Sequence, residues 1–255
     1  MTEGGVADGI RKMYEKVALR YDLFNRVATF GLDGAWRRRA AELLPKRRGM
    51  TVVDVCAGTG DMTRGIASRL GDGSLVAALD FSYRMLSRCR DKISGDAENV
   101  ALVLGRAEAM PIACRSADAV CCAFALRNLE SVMDGFLREV FRILKTEGTA
   151  VLLETGRPTA PLLRQAHGFY VSKLVPFEGR AITGNGPAYR YLADSVKRFP
   201  DPGEFCRKME EAGFRGASHQ SLSGGIATIY TGRKSGRPPA GGAGESVSMT
   251  CRGVL

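Results

Sequence analysis

Two glycines, Gly58 and Gly60, stand two residues apart between an apolar run and a segment with helical spacing. Glycine lets the backbone turn sharply and lets a ligand approach the main chain closely, so a strand, a glycine turn and a helix in this order can bind a nucleotide-like cofactor. Asp54 and Thr59 lie in the same stretch, VVDVCAGTGDMT at 52–63. The stretch predicts a cofactor loop, and the alternative is an ordinary turn.

The next apolar run, LVAALD at 75–80, ends in Asp80. If the two runs form neighbouring parallel strands, the Asp80 carboxylate lies at the adjacent strand end, where it can accept both ribose hydroxyls of a nucleoside. The alternative is that Asp80 caps the helix that we predict to begin near Ser82.

The residues of the loop also separate two cofactor classes. A dinucleotide site favours a third small residue in G-x-G-x-x-G, so that the helix N-terminus can meet a pyrophosphate, and Thr63 occupies that position. Asp54 and Asp61 would repel a pyrophosphate but suit a cofactor that carries a sulfonium and an ammonium group. The loop therefore favours the methyl donor S-adenosylmethionine over a nicotinamide or flavin dinucleotide.

Five apolar runs alternate with helical stretches, which is typical of a parallel sheet covered by helices on both faces. The predicted strands are 51–55, 75–80, 100–104, 118–124 and 149–154, and the helices between them lie near 61–70, 82–93 and 131–144. Two further runs, 217–222 and 226–231, flank Ser223-Gly224-Gly225 and predict a hairpin. We therefore expect an α/β, Rossmann-like fold with a mostly parallel, seven-stranded sheet.

Segments outside the sheet complete the predicted organisation. Apolar residues at three- and four-residue steps predict a helix over Ile10 to Tyr21, and a second helix over Ala35 to Leu44 completes an N-terminal helical extension. Prolines punctuate a helix-rich insertion at about 155–200, which we expect to contact the substrate. Residues 1–9 and 235–255 lack a periodic apolar pattern and predict disorder, which leaves one domain at 10–234.

The chain carries a net charge of +10, and its densest basic groups are Arg37-Arg38-Arg39 and Lys46-Arg47-Arg48. We interpret them as solvated helix and turn residues, with contact to an anionic membrane surface as the alternative, and we expect no nucleic-acid partner.

The sequence shows no motif for metal binding, for export or for a membrane span. The seven cysteines include no C-x-x-C pair and there are two histidines, so we expect no metal centre. The first nine residues lack an apolar signal core, and the longest apolar run is far shorter than the roughly 20 residues of a membrane span. We expect a cytoplasmic protein that is at most peripheral to a membrane.

Several motifs resemble the ubiquinone/menaquinone biosynthesis C-methyltransferase family, a branch of the class I methyltransferases. The N-terminal part has Tyr21-Asp22, Asn25, Phe30-Gly31 and Trp36-Arg37, and the core has VVDVCAGTGDMT, LDFS at 79–82, AEAMP at 107–111 and FALRN at 124–128. The insertion adds Pro161, Tyr170, Pro176, Gly179 and AYRYL at 188–192. The resemblance spans about Tyr14 to Lys234, and FALRN with AYRYL supports the quinone branch.

The resemblance implies C-methylation of a prenylated quinol, such as demethylmenaquinol or a ubiquinol precursor, with S-adenosylmethionine as the cofactor. It implies that Thr59, Asp80, Arg106, Ala107 and Ala123 line the cofactor site, with support from Asp54, Gly58 and Gly60. Substrate-side candidates are Tyr21, Asn25, Asn128 and Tyr191. Arg106 departs from the small polar or acidic residue usual in the family.

Arg127 is the catalytic candidate, because a guanidinium can stabilise a phenolate or order the water that takes its proton. The alternative role for Arg127 is a structural ion pair, for example with Glu130. Two other functions stay open from sequence: methylation of a different phenolic or hydrophobic acceptor, and a silent scaffold that binds the cofactor in a biosynthetic complex. A homodimer is a further possibility.

Overall fold

The computed structural model describes residues 20–94, 99–183 and 194–235. Its strands are β1 (Thr51–Val55), β2 (Leu75–Asp80), β3 (Val100–Leu104), β4 (Ala117–Ala123), β5 (Leu144–Thr155), β6 (Phe214–Leu222) and β7 (Ala227–Lys234). They form one sheet in the order β3-β2-β1-β4-β5-β7-β6. β7 pairs antiparallel with β5 and β6, whereas β1 to β5 pair in parallel. This is the predicted Rossmann-like arrangement.

Helices surround the sheet, and eight of them lie wholly within the described part of the chain. They are α1 (Tyr21–Ala28), α2 (Leu32–Glu42), α3 (Asp61–Ala67), α4 (Tyr83–Ile93), α5 (Met133–Ile143), α6 (Pro161–Phe169), α7 (Val175–Thr183) and α8 (Pro202–Glu211). A π-helical turn, Tyr170–Leu174, joins α6 to α7, and residues 194–198 are also helical.

Helices cover both faces of the sheet because its strands carry apolar side chains on both sides. Trp36 of α2 and Ile66 of α3 pack on one face, whereas Phe136 of α5 and Phe205 of α8 pack on the other. Burial of each such side chain stabilises the fold by roughly 1.5–3 kcal/mol. The two layers hold the carboxyl ends of β1, β2 and β4 at one edge of the sheet, where ligands bind in folds of this class.

The predicted strands agree with the structure most closely in the first half of the sheet. β1, β2 and β3 begin and end at the predicted residues, and β4 begins one residue earlier than predicted. β5 begins at Leu144, five residues before its predicted start, because Leu144 pairs with Ala117 of β4 ahead of a register shift between the two strands. In this added segment the Lys145 ammonium group pairs with the Asp118 carboxylate at 2.7 Å.

In the N-terminal extension, the predicted helix over Ile10 to Tyr21 lies outside the described residues except for its last two positions, and the second helix has other bounds than predicted. α1 begins at Tyr21, where the predicted first helix ends, and α2 begins at Leu32 rather than Ala35. Residues 1–19 and 236–255 lie outside the described residues, so disorder at 1–9 and 235–255 stays a prediction. The domain limits of 10–234 stay a prediction as well.

The N-terminal extension and the insertion contact each other at the carboxyl edge of the sheet. Phe24 of α1 packs on Val175 of α7, and the Tyr170 hydroxyl is shared between the Ala28 carbonyl at 3.2 Å and the Glu178 carboxylate at 3.0 Å. The Arg20 guanidinium donates a hydrogen bond of 2.7 Å to the Ile182 carbonyl. Together they roof a cavity above the ends of β4 and β5. Within the described ranges, no helix combines the length and apolarity that crossing a membrane requires.

Candidate active site

The loop after β1 needs glycine at two positions, for different reasons. Gly58 and Gly60 both have positive φ, 56° and 88°, which residues with a Cβ rarely adopt. A Cβ on Gly60 would lie 2.5 Å from the Cys89 sulfur, whereas a Cβ on Gly58 would meet no protein atom within 4 Å. Gly60 therefore allows α3 and α4 to pack closely, and Gly58 leaves open space at a cavity lined by the loop.

Asp54 supplies a buried negative charge to that cavity, which we call the loop cavity. Its Oδ2 accepts a hydrogen bond of 2.5 Å from the Thr63 hydroxyl, and its Oδ1 has no donor among the described residues. Burial raises the pKa of Asp54 to about 7. A buried carboxylate oxygen without a donor is costly, so a bound cation such as an ammonium group would complete the site.

Asp80 ties the glycine loop to the start of α4. Its Oδ2 accepts from the Gly58 amide and its Oδ1 from the Ser82 amide, both at 2.9 Å. The Ser82 hydroxyl, not Asp80, caps the helix by accepting from the Met85 amide at 3.4 Å. Burial raises the pKa of Asp80 to about 6, against the effect of these backbone hydrogen bonds. The carboxylate lies at the strand end, as predicted, and keeps lone pairs for further donors.

A polar network that the sequence did not reveal links α1 to the glycine loop. The Lys92 ammonium group contacts Asp22 Oδ2 at 2.7 Å, Asp61 Oδ1 at 2.5 Å and Thr59 Oγ1 at 3.1 Å. The Thr59 hydroxyl in turn donates to Asp22 Oδ1 at 2.5 Å. Asp22 and Lys92 thus fix α1 over the loop, although the two residues are 70 positions apart in the chain.

The remaining predicted cofactor residues occupy two strand ends. Ala123 ends β4 and lines the loop cavity, and Ala107 is buried just beyond β3. The Arg106 guanidinium pairs with the Glu108 carboxylate at 2.5 Å and is half exposed. A guanidinium has donors only, so it cannot accept a hydrogen bond from an adenine amino group.

A second, larger cavity lies between α1, α2, the insertion and the ends of β4 and β5, and we call it the acceptor cavity. Its volume is about 140 Å³, roughly ten times what one water molecule needs. Most of its wall is apolar, including Phe24, Trp36, Phe124 and Val175. The polar side chains in the wall are Asn25, Thr29, Asp33, Arg37, Arg127, Thr155, His167 and Tyr170.

Arg127 lies in this wall as a buried member of an ion pair. Its Nη1 donates to Glu154 Oε1 at 2.7 Å and to the Phe124 carbonyl at 2.8 Å, and its amide donates to Glu154 Oε2 at 3.1 Å. The expected alternative partner, Glu130, instead pairs with Arg198 at the surface, at 3.1 Å. The pair with Glu154 fixes the direction of the guanidinium, so its position in the cavity is well defined.

Of the other substrate-side candidates, one lines the acceptor cavity and the rest do not or cannot be placed in it. Asn25 lines the acceptor cavity, whereas Asn128 ends the 3-10 turn directly after Arg127 and is half buried outside the lining. The backbone of Tyr21 begins α1. Tyr191, with the whole AYRYL motif, lies outside the described residues.

Arg37 is the site residue that the sequence interpretation missed. We interpreted the run 37–39 as a solvated helix face, and for Arg37 this is wrong, because its side chain is 12% exposed and pairs with Asp33 one helical turn earlier. Its guanidinium also lies 4.8 Å from the centre of the Phe124 ring. The i, i+4 spacing of Asp33 and Arg37 was the available signal. His167 also lines the acceptor cavity.

Comparison with known proteins identifies the family. The model of the ubiE/COQ5 methyltransferase family matches residues 3–234. The chain belongs to this family. As a ubiE/COQ5 family member it is a methyltransferase that uses S-adenosylmethionine, and the resemblance seen in its motifs is confirmed.

Relatives of the ubiE/COQ5 member share most of its length. A protein of Geobacter sulfurreducens named ubiquinone/menaquinone biosynthesis C-methyltransferase UbiE is 38% identical over 92% of this chain and 91% of its own. The demethylmenaquinone methyltransferase of Desulfitobacterium hafniense is 34% identical, over 88% of this chain and 89% of its own.

Solved structures show the same fold at low sequence identity. A methyltransferase of Haloferax volcanii, solved with the activator Trm112, has a TM-score of 0.64 at 17% identity and covers 87% of this chain and 97% of its own. A SAM-dependent methyltransferase of Aquifex aeolicus has a TM-score of 0.57 at 18% identity, with coverage of 78% and 89%. The predicted class I methyltransferase fold is thereby confirmed.

The affinity for S-adenosylmethionine should rise with pH across neutrality. A cationic ligand favours the ionised form of Asp54, whose pKa without ligand is about 7, so affinity should fall below that pH and level off above it. Asp80, with a pKa of about 6, should steepen the fall at lower pH. Calorimetry at about pH 6, 7 and 8 measures the profile.

The control for this profile is Asp54→Asn, which removes the titrating group and should flatten the change around pH 7. In the absence of ligand, rising pH should lower the stability of the protein, whereas it should raise the ligand affinity. The folded state holds the Asp54 proton more tightly than the unfolded chain, so this group should destabilise the protein as pH rises from about 4 to 7. A wild-type affinity independent of pH would contradict the assignment.

Substitution of Arg106 tests where its side chain points. Arg106→Asn should leave the S-adenosylmethionine affinity unchanged or tighten it by up to about threefold, because the guanidinium pairs with Glu108 and a charge near the sulfonium is removed. Calorimetry measures the effect, with Arg90→Asn on the exposed face of α4 as the matched control. A tenfold loss, about 1.4 kcal/mol, would show a direct contact between Arg106 and the cofactor.

Proposed function

We propose that this enzyme transfers a methyl group from S-adenosylmethionine to a ring carbon of a prenylated quinol, such as demethylmenaquinol or a ubiquinol precursor. The observation that carries the proposal is an apolar acceptor cavity that meets the loop cavity at Arg37. A ring with a prenyl tail suits an apolar wall that has a few polar groups at one end. The names of the relatives from Geobacter sulfurreducens and Desulfitobacterium hafniense point to the same acceptor class.

S-adenosylmethionine supplies an electrophilic methyl group on a sulfonium, which an in-line attack displaces. The protein contributes position and exclusion of water, because the roof of α1 and α7 covers the carboxyl edge of the sheet. Thr59, Asp80, Ala107 and Ala123, with the glycines at 58 and 60, would hold the nucleoside and its side chain. Asn25, and on the resemblance Tyr21, Asn128 and Tyr191, would contact the acceptor.

Arg127 is our catalytic candidate for activating the acceptor. A quinol ring carbon becomes nucleophilic when a ring hydroxyl loses its proton, which here passes to a water molecule at the guanidinium. The Arg127 guanidinium, fixed by Glu154, then stabilises the phenolate. As the new carbon–carbon bond forms, the bond between methyl and sulfur breaks, and loss of the ring hydrogen as a proton to water restores the aromatic ring.

The decisive experiment combines an in vitro assay with quinone profiling. The purified enzyme is given S-adenosylmethionine and a reduced demethylmenaquinone with one prenyl unit, and mass spectrometry should show one added methyl group on the ring. A strain that lacks the gene should accumulate the demethylated quinone. Turnover of an unrelated phenol alone would support the other acceptor class, and cofactor binding with no turnover would support a scaffold; either outcome would overturn the proposal.

We further propose that α6, α7 and the loop before α2 touch a membrane, from which a prenylated acceptor can enter. Four large apolar side chains on these elements are 63–81% exposed: Phe30, Leu162, Phe169 and Phe177. Lys173 and Arg180 lie exposed beside them, and apolar groups bordered by basic residues favour an anionic lipid surface. By contrast, Arg47 and Arg48 of the basic groups pair with Asp118 and Asp72.

Sedimentation with vesicles tests this contact. The wild type should bind vesicles of phosphatidylglycerol, and Phe169→Ser with Phe177→Ser should weaken binding at least about tenfold, whereas Leu75→Ser at the exposed amino end of β2 should not. Equal binding by all three proteins would refute the surface. Sedimentation velocity of the same samples without vesicles tests the predicted homodimer.

A further inference from the structure

Arg37 is the one described residue that lines both the loop cavity and the acceptor cavity. α2 positions it, and two contacts hold its side chain: the carboxylate of Asp33 and the ring of Phe124. The Thr29 hydroxyl is shared between the Asn25 carbonyl at 2.7 Å and Asp33 Oδ1 at 3.1 Å, and the Asp33 amide donates to Thr29 Oγ1 at 3.3 Å, so Thr29 helps to hold Asp33 in place. The guanidinium has five N–H donors, so the pair with Asp33 leaves donors for a ligand.

The wall of the loop cavity contains side chains of opposite charge. Arg37 and Asp54 both line it, and the positive charge of Arg37 lowers the pKa of Asp54 against the larger effect of burial. Asp54 Oδ1 has no donor among the described residues. A carboxylate without a donor and a guanidinium with free donor capacity are complementary to a zwitterion, because each ligand charge then meets its opposite in a desolvated site.

We infer that Arg37 binds the carboxylate of the methionine part of S-adenosylmethionine, while Asp54 receives its ammonium group. Guanidinium and carboxylate match as planar groups that form two parallel hydrogen bonds. The same guanidinium forms part of the acceptor cavity, so Arg37 separates the cofactor's charged end from the apolar acceptor. Asp33 and Thr29 are positioning residues for this contact, since they act through the Arg37 side chain.

The inference is tested by calorimetry in the absence of any acceptor. The affinities of two ligands are compared among the wild type and two variants. S-adenosylmethionine and its decarboxylated form differ in the carboxylate alone and share the ammonium and sulfonium groups. Arg37→Met should weaken binding of S-adenosylmethionine by about 10- to 100-fold and change binding of the decarboxylated form by less than about threefold. Asp54→Asn should weaken both ligands by similar factors, because both carry the ammonium group.

Controls separate a ligand contact from a folding defect. Arg38→Met, one residue along the same helix on its exposed side, should change neither affinity. Because Arg37→Met leaves the buried Asp33 carboxylate without its ion-pair partner, the double variant with Asp33→Asn keeps the test valid if the single variant folds poorly. Arg37→Lys should restore part of the affinity, since an ammonium group keeps the charge but loses the planar match.

Two outcomes would overturn the inference. If both ligands lose affinity equally in Arg37→Met, the residue supports the site rather than binding the carboxylate. If both affinities stay unchanged while turnover falls, Arg37 acts on the acceptor instead. Neither result depends on which acceptor the enzyme methylates, so failure of the quinol assignment and failure of this inference are distinguishable.

Discussion

Replacement of Glu154 by Leu should lower the free energy of unfolding by about 3–5 kcal/mol, the largest loss that we expect from a single substitution. Glu154 is fully buried and Arg127 is 5% exposed, so the variant leaves an uncompensated guanidinium inside the protein. Glu154 also accepts from the Thr155 amide and hydroxyl, at 2.7 and 2.9 Å. Urea unfolding followed by circular dichroism measures the change.

The matched control for this substitution is an exposed pair of the same chemistry. Glu130→Leu breaks the surface pair with Arg198 and should cost less than about 1 kcal/mol, because solvent screens both charges. The double variant Arg127→Met with Glu154→Leu should regain part of the lost stability, since it removes both buried charges. A Glu154→Leu variant within 1 kcal/mol of the wild type would contradict the reasoning.

The same double variant separates the two roles of Arg127. A structural ion pair predicts that activity returns together with stability, whereas the proposed catalytic role predicts a folded enzyme that binds S-adenosylmethionine but turns over slowly. We expect the second result, with turnover reduced by about 100-fold or more, as for loss of a group that stabilises a developing anion.

The cofactor side of the site could be predicted because its signals are local. Asp54, Gly58 and Gly60 lie within seven residues, and Asp80 ends the next strand, so strand order alone brings them together. Continuous apolar runs bounded by polar and glycine residues also defined β1 to β3. β5 extends beyond its predicted start because Leu144 pairs with Ala117 of β4 ahead of a register shift, a pairing that periodicity does not report.

The acceptor side could not be predicted to the same extent, because its residues come from distant helices. Tyr170 meets the Ala28 carbonyl across 142 positions, and Lys92 meets Asp22 across 70. Such contacts depend on how the N-terminal extension packs on the insertion, not on spacing. Arg37 is an example. A run of three arginines usually indicates solvent-exposed side chains, but in α2 the Arg37 side chain lies on the side that faces the cavities and is mostly buried.

The two glycines of the loop should separate folding from cofactor binding when each is replaced by Ala. Gly60→Ala adds a Cβ 2.5 Å from the Cys89 sulfur at a φ of 88°, and backbone strain and steric overlap together should cost about 2–4 kcal/mol of stability. Gly58→Ala has a φ of 56° and no protein atom within 4 Å of the new Cβ, so strain alone should cost about 1 kcal/mol.

Binding should rank the two variants in the opposite order, because the space beside Gly58 belongs to the loop cavity. Gly58→Ala should weaken S-adenosylmethionine at least about tenfold while the protein stays folded, since a methyl group then lies where the cofactor must approach the backbone. Adding Cys89→Ala to Gly60→Ala should recover the steric part of its cost, measured as a coupling energy in a double-mutant cycle, but not the backbone strain. Wild-type affinity in Gly58→Ala would place the cofactor elsewhere, and zero coupling between positions 60 and 89 would mean that α3 and α4 separate easily.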